Sequence, residues 1–193
     1  MDFEIDAGNV AFREEVRAFI RDNLPGKLSQ TVRRVGYLGH GPDNTLAWTR
    51  ILYKKGWSAP NWPVELGGTG WTPMQQHIFE EECWKADAPM IGVAGLCMLG
   101  PVIQRYGSQA QKEKFLPLIL RGDVWLAQGF SEPNAGSDLA SLRTTAVLDG
   151  DHCVVNGSKI WTSGGHQADW GFFLVRTDTQ VKAQKGISFL LID

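Results

Sequence analysis

The sequence has 193 residues, of which 43% are hydrophobic and 21% charged, enough apolar content for a core and an ordinary charge density for a folded protein in water. Its formal net charge of −2 gives no general attraction to nucleic acid or to an anionic membrane. No run is long and apolar enough to span a bilayer, the best stretch, 88–103, being broken by glycines and prolines.

The start, Met1-Asp2-Phe3-Glu4, lacks the basic and then apolar segment of a secretory leader. Residues 9–24 predict an amphipathic helix with Phe12, Val16, Phe19 and Ile20 at helical spacing, Asn9 as its cap and Pro25-Gly26 as its end. Residues 26–43 are polar with glycines near the end and read as an irregular link. Asp43 or Asn44 then caps a helix to about Lys55. Residues 56–71 hold four glycines, two prolines and three tryptophans, which predicts an ordered loop pinned by Trp57, Trp62 and Trp71. Thr72-Pro73-Met74-Gln75 is a capping box opening a helix to about Ala86. Its Glu80-Glu81-Glu82 run cannot converge on one ion, because consecutive helical residues point to different sides. Residues 89–106 read as a buried helix kinked or broken at Pro101. Ser108 to Gln111 is a second capping box, for a helix to about Leu120 that Pro117 shortens, and Gly122-Asp123 ends the helical part.

Beyond residue 124 the pattern turns to period two. Candidate strands are 125–130, 142–148, 152–156, 158–163, 170–177 and 187–192, with hairpin turns at Asp149-Gly150 and Asn156-Gly157. The expected class is α+β, a helical domain over 1–124 and a β-barrel or sandwich-like domain over 125–193. The last segment is an apparent strand, so a truncated β-domain with an uncovered sheet edge is expected. Three widely spaced cysteines (Cys83, Cys97, Cys153) give neither a disulfide framework nor a Cys-x-x-Cys metal site, and point to a reduced, cytoplasmic compartment. The four histidines, His40, His77, His152 and His166, form no ligand motif.

The chemistry gathers in 128–163. Its first half, Gln128-Gly129-Phe130-Ser131-Glu132-Pro133-Asn134-Ala135-Gly136-Ser137-Asp138, packs small and hydroxyl residues around a proline turn. Gly136 is free to take a positive φ, successive N–H groups in such a turn form a concave anion site, and Ser131 and Ser137 add donors. Its second half, from Asn156-Gly157-Ser158-Lys159-Ile160 to Trp161-Thr162-Ser163-Gly164-Gly165, reads as a strand with a large aromatic, two hydroxyls and a Gly-Gly turn. The set suits a planar cofactor with a diphosphate. A plain turn and a core tryptophan are the alternative reading of the same residues.

The two segments, in this order and spacing, resemble the two signatures of the acyl-CoA dehydrogenase family, and Gly56-Trp57-Ser58-Ala59-Pro60 and Glu65 to Gly70 are similar to that family's N-terminal half. The resemblance implies FAD and α,β-dehydrogenation of an acyl-CoA. In such enzymes a glutamate takes the α-proton and a hydride passes from the β-carbon to the flavin. It also implies a helical, a β and a C-terminal four-helix domain, the last absent here together with the base glutamate. By the same resemblance, Gln128, Phe130, Ser131, Gly136, Ser137, Trp161, Thr162 and Ser163 bind the cofactor. Phe130 and Ser131 fall at the pyrimidine side, Gly136 and Ser137 at the diphosphate, Trp161 on the ring system and Ser163 near N5; Ser137 also touches the CoA part of the substrate. Glu132 is structural and no residue here is the catalytic base. Asn134, Thr162 and Gly164 depart from the commonest pattern, which has glycine, isoleucine and asparagine there.

The Trp57 to Pro63 run is similar to bacterial members acting on larger acyl groups, such as pimeloyl-CoA and steroid side chains, some of them heteromers. The implied partners are an acyl-CoA, an acceptor like electron-transfer flavoprotein and a homo- or hetero-oligomer, with no nucleic acid and no membrane. The alternatives are a non-catalytic structural subunit and a flavin monooxygenase on the same fold. The chain alone is expected to hold FAD weakly or not at all, to show no turnover and to self-associate.

Overall fold

The computed structural model describes residues 6–37, 39 and 41–193; Met1 to Glu4 and His40 lie outside them. The chain divides into two compact units, one ending at Asp123 and one beginning at Val124.

In the helical unit, α1 (Ala7–Asn23) buries Phe12, Val16 and Ile20. Its cap is Asp6 and not Asn9: the Asp6 carboxylate accepts from the Asn9 N–H at 2.9 Å, which places Asn9 inside the first turn. Residues 26–43 are not an irregular link. Helix α2 (Gly26–Val35) starts at Pro25 and buries Leu28 and Val32, an i,i+4 pair. The surrounding lysine, arginine and hydroxyl residues hide that short apolar stripe from a composition reading. Helix α3 (Gly41–Lys55) follows.

The loop after α3 is ordered as expected. Trp57 and Trp62 are buried, and Trp71 meets Phe12, Trp57 and Phe79 at ring separations of 5.1, 5.2 and 5.1 Å. Helix α4 (Pro73–Lys85) has the complete capping box of Thr72 and Gln75. Its acidic run does not gather on an ion: Glu81 and Glu82 both receive Arg13, and Glu82 also accepts from Arg17 at 2.8 Å.

Residues 89–106 are not one kinked helix. Ala94–Leu99 is π-helical and continues into α5 (Gly100–Tyr106), with Pro101 in its first turn. The Leu96 carbonyl would take its π-helical hydrogen bond from residue 101, where proline has no N–H. The buried Trp62 indole N–H supplies it instead, at 2.7 Å. Gly100 makes this approach possible, since a Cβ there would lie 2.3 Å from the Trp62 ring. Helix α6 (Gln109–Arg121) has the Ser108–Gln111 capping box, runs past Pro117 without shortening, and ends on Gly122 at φ +68°.

The second unit is a five-stranded mixed sheet of β1 (Leu126–Gly129), β2 (Thr145–Asp149), β3 (His152–Asn156), β4 (Trp170–Arg176) and β5 (Ile187–Ile192). Strand β4 is the hub: β1 pairs parallel with its first half, β2 meets its end and β5 runs antiparallel along it. The β2–β3 hairpin turns on Gly150-Asp151, one residue later than the expected Asp149-Gly150, with Asp149 paired to His152 and Gly150 at φ +64°. Asn156-Gly157 makes none, and 158–163 is not a strand. Gly157 is there for close packing: a Cβ on it would lie 2.4 Å from the Thr144 hydroxyl.

The three cysteines are free, and among the described residues no cluster of histidine, cysteine and acidic side chains is placed to hold a metal. No helix is long and apolar enough to cross a membrane among the described residues.

Candidate functional site

Glu132 is the peg on which the 128–163 surface hangs. Its backbone exchanges hydrogen bonds with Ala135 at 2.8 and 3.1 Å, closing a tight turn over Pro133-Asn134. Its carboxylate accepts from the main-chain N–H groups of Arg143 (2.7 Å) and Thr144 (2.9 Å) and from the Lys159 ammonium (2.8 Å). Lys159 also donates to the Phe130 carbonyl at 3.1 Å, and the Ile160 N–H donates to Ser131 O at 2.9 Å. Segments 130–135, 143–144 and 159–160 are thus fastened to one another. The side chains of Glu132 and Lys159 are each 8% exposed. Burial pushes the Glu132 carboxyl up, but Lys159 and the N–H donors outweigh it and hold it down at about 2. A carboxylate held this way is ionised at neutral pH and fully engaged, so it is no proton acceptor. Lys159 carries no role in the sequence reading; its signal was a lone cation inside the second signature.

The second segment does not run as a strand because Trp161 takes φ +61°. Left-handed backbone is disfavoured for a bulky side chain. The turn that follows is closed by Ser163 N–H to Trp161 O (3.0 Å) and Gly165 N–H to Thr162 O (3.1 Å). Its result is to stand the Trp161 indole out of the fold at 83% exposure. Ser163 is exposed on the same turn. Gly164, at φ +69°, sits over Trp125: a Cβ on it would be 3.1 Å from the Trp125 indole nitrogen. That nitrogen and the Thr162 hydroxyl are both buried without a hydrogen-bond partner among the described residues. Trp125 is held by its main chain, whose N–H donates to Asp169 at 2.7 Å. No motif pointed to it, as its role depends on a packing partner some forty residues away.

The remaining site residues divide. Ser131 is half-buried and Ser137 exposed, both in the first segment. Gln128 lies half-buried on β1, opposite Phe172 of β4. Phe130 is half-buried, its ring packed edge-on against Phe172 (5.8 Å) and Phe189 (6.3 Å). Gly136 does not take a positive φ, contrary to expectation; what it provides is open space, with nothing within 4 Å of a Cβ placed there.

Residues 7–123 match the family model for the N-terminal domain of acyl-CoA dehydrogenases, and residues 127–193 match the model for their middle domain. Acyl-CoA dehydrogenase FadE29 of Mycobacterium tuberculosis is 48% identical over 154 residues, covering 80% of this chain and 39% of that protein. Acyl-CoA dehydrogenase IpdE1 of the same organism is 40% identical over 185 residues, covering 94% and 48%. A solved structure described as the Tcur3481-Tcur3483 steroid ACAD superposes with a TM-score of 0.85 at 39% identity, covering 100% of this chain and 49% of that one. The ChsE4-ChsE5 complex from Mycobacterium tuberculosis gives 0.79 at 36% identity, covering 99% and 48%. The chain therefore spans half or less of the length of these relatives.

Proposed function

The chain belongs to the acyl-CoA dehydrogenase family, and from that premise we propose that its 128–163 surface holds the flavin of an FAD-dependent enzyme that oxidises acyl-CoA thioesters. The observation that carries this reading is Trp161, an aromatic plane displayed at 83% exposure on a left-handed backbone. Strain of this kind is retained where it serves a site. The surroundings fit the group: two donors without partners among the described residues lie in or under the 161–165 turn, and the Gly136 backbone is open to a bulky neighbour.

When bound, FAD would supply the oxidant that accepts the hydride. Trp161 would cover the ring system, and Ser131 and Ser163 would donate hydrogen bonds to its polar edge. Gly136 and Ser137 would face the diphosphate, with Ser137 also near the CoA portion of the substrate. A donor at Ser163 favours negative charge on the reduced ring. The catalytic base lies outside these residues. Glu132 is the only glutamate after residue 124, and its carboxylate is already committed to Lys159 and two N–H groups.

Bulky acyl groups and a two-component assembly are part of the proposal. They are supported by the structural relatives described as a steroid ACAD pair and as the ChsE4-ChsE5 complex. The β2–β3 hairpin supports an assembly as well, because it leaves Val147, Leu148, Val154 and Val155 exposed. Dye-coupled assay of the 193-residue chain with FAD and a panel of acyl-CoA thioesters tests the assignment of the base. No turnover is expected, and measurable turnover with any acyl-CoA would overturn it.

A further inference from the structure

Arg176, half-buried at the end of β4, gives its guanidinium to the main chain of two loops. It donates to the Ala140 and Leu142 carbonyls at 2.6 and 3.1 Å and to the Ala183 carbonyl. The first two belong to the short turn that follows Ser137-Asp138, where the Ser141 hydroxyl also donates back to the Asp138 carbonyl at 2.7 Å. The third belongs to loop 177–186, which closes on its own start through Thr177 N–H to Gly186 O at 2.9 Å. Gly186 suits that closure because a Cβ there would lie 2.0 Å from the Asp178 carbonyl and 3.2 Å from the Arg176 guanidinium. The turns over 139–141 and 183–186 pack together around this side chain. Neutral carbonyls satisfy guanidinium donors without cancelling the charge, and Arg176 makes no ion pair among the described residues. The loop it holds carries Lys182 and Lys185, both exposed and also without an ion pair among the described residues. Each loop carries one carboxylate, Asp138 and Asp178, whose repulsion of an anion the Arg176 charge offsets.

We propose that Arg176 is a positioning residue for anion binding: by clamping loop 177–186 beside the 136–142 segment, it sets Lys182 and Lys185 on one rim with Gly136 and Ser137 and completes a subsite for the diphosphate of a nucleotide. This rests on the reading of Gly136 and Ser137 as facing a diphosphate, and adds the cations that such a group needs. FAD and an acyl-CoA both carry that group.

Calorimetric titration of the 193-residue chain with ADP at low ionic strength, and with riboflavin as a flavin that lacks the diphosphate, tests it. ADP is expected to bind saturably, and Arg176→Met to weaken it about tenfold and to flatten its dependence on salt. Arg176→Lys keeps the charge without the planar fork that reaches both loops, so its ADP affinity should fall between. Riboflavin should bind parent and variants alike. No saturable ADP binding to the folded parent chain, or an unchanged ADP affinity in Arg176→Met, would overturn the proposal. Equal losses for ADP and riboflavin would overturn it too, since they would make Arg176 a structural clamp only. Riboflavin failing to bind where ADP binds would count against the ring reading instead, with the ADP comparison still deciding this one. If Arg176→Met does not fold by circular dichroism, the double variant Lys182→Gln with Lys185→Gln changes only the exposed loop, and an unchanged ADP affinity there would overturn the proposal. Displacement of ADP by FAD assigns the subsite to the cofactor and displacement by CoA assigns it to the substrate, while displacement by neither would overturn it.

Discussion

Glu132 and Trp161 show two opposite ways for one residue to serve a surface. Glu132 is buried and satisfied, and its value is mechanical. Removing Lys159 would strand its charge, and breaking one partner of a buried pair costs about 3–5 kcal/mol. Lys159→Met is therefore expected to lower stability by about 3 kcal/mol in chemical denaturation, with less loss in the double variant carrying Glu132→Gln. The pH dependence follows from the same contact. The folded carboxyl stands at about 2, below its ordinary value of 4.5, so its contribution is complete above that ordinary value and disappears as pH falls toward about 2. Thermal melts between these limits should show the decline, and in Lys159→Met it should begin at higher pH. Trp161 is the reverse case, exposed and strained. Glycine takes φ +61° freely and little burial is lost with the indole. Trp161→Gly is thus expected to leave stability unchanged or raise it by about 1 kcal/mol, a result that a merely structural tryptophan would not give.

Among the elements, the π-helical turn before α5 depends on a loop side chain. Trp62→Phe leaves the buried Leu96 carbonyl without a donor, a loss of about 1–3 kcal/mol, and adds to it the packing lost with the larger indole. Equilibrium unfolding measures it, and a neutral result would contradict the role given to that indole. The elements also show what the sequence made legible. Both capping boxes, the tryptophan-pinned loop and all five strands can be read from local chemistry, because the signals lie within a few residues of the structure they produce. Helix α2 could not be read so, since two buried residues in a polar stretch become meaningful only when a core receives them. Nor could the shape of 158–163. A β-rich composition predicts a strand, and it is the left-handed Trp161 and the Lys159–Glu132 contact that turn the chain aside. Asn156-Gly157 carried a hairpin signal with no strand to follow, and its glycine answers to Thr144 instead.

On the scale of the molecule, the helical unit and the mixed sheet match two successive domains of one enzyme family. The chain covers about half of those structural relatives. The exposed hairpin, where Leu148 alone is 81% exposed, predicts association that grows with concentration. Light scattering should detect it, and Leu148→Lys should reduce it. The flavin surface is the central claim, and its most direct test is a titration of FAD with the 193-residue chain and with Trp161→Gly, followed by flavin fluorescence. The account predicts shallow but saturable quenching by the parent chain, lost in a Trp161→Gly chain that remains fully folded. No saturable change with the parent chain, or the same curve with both, would contradict it.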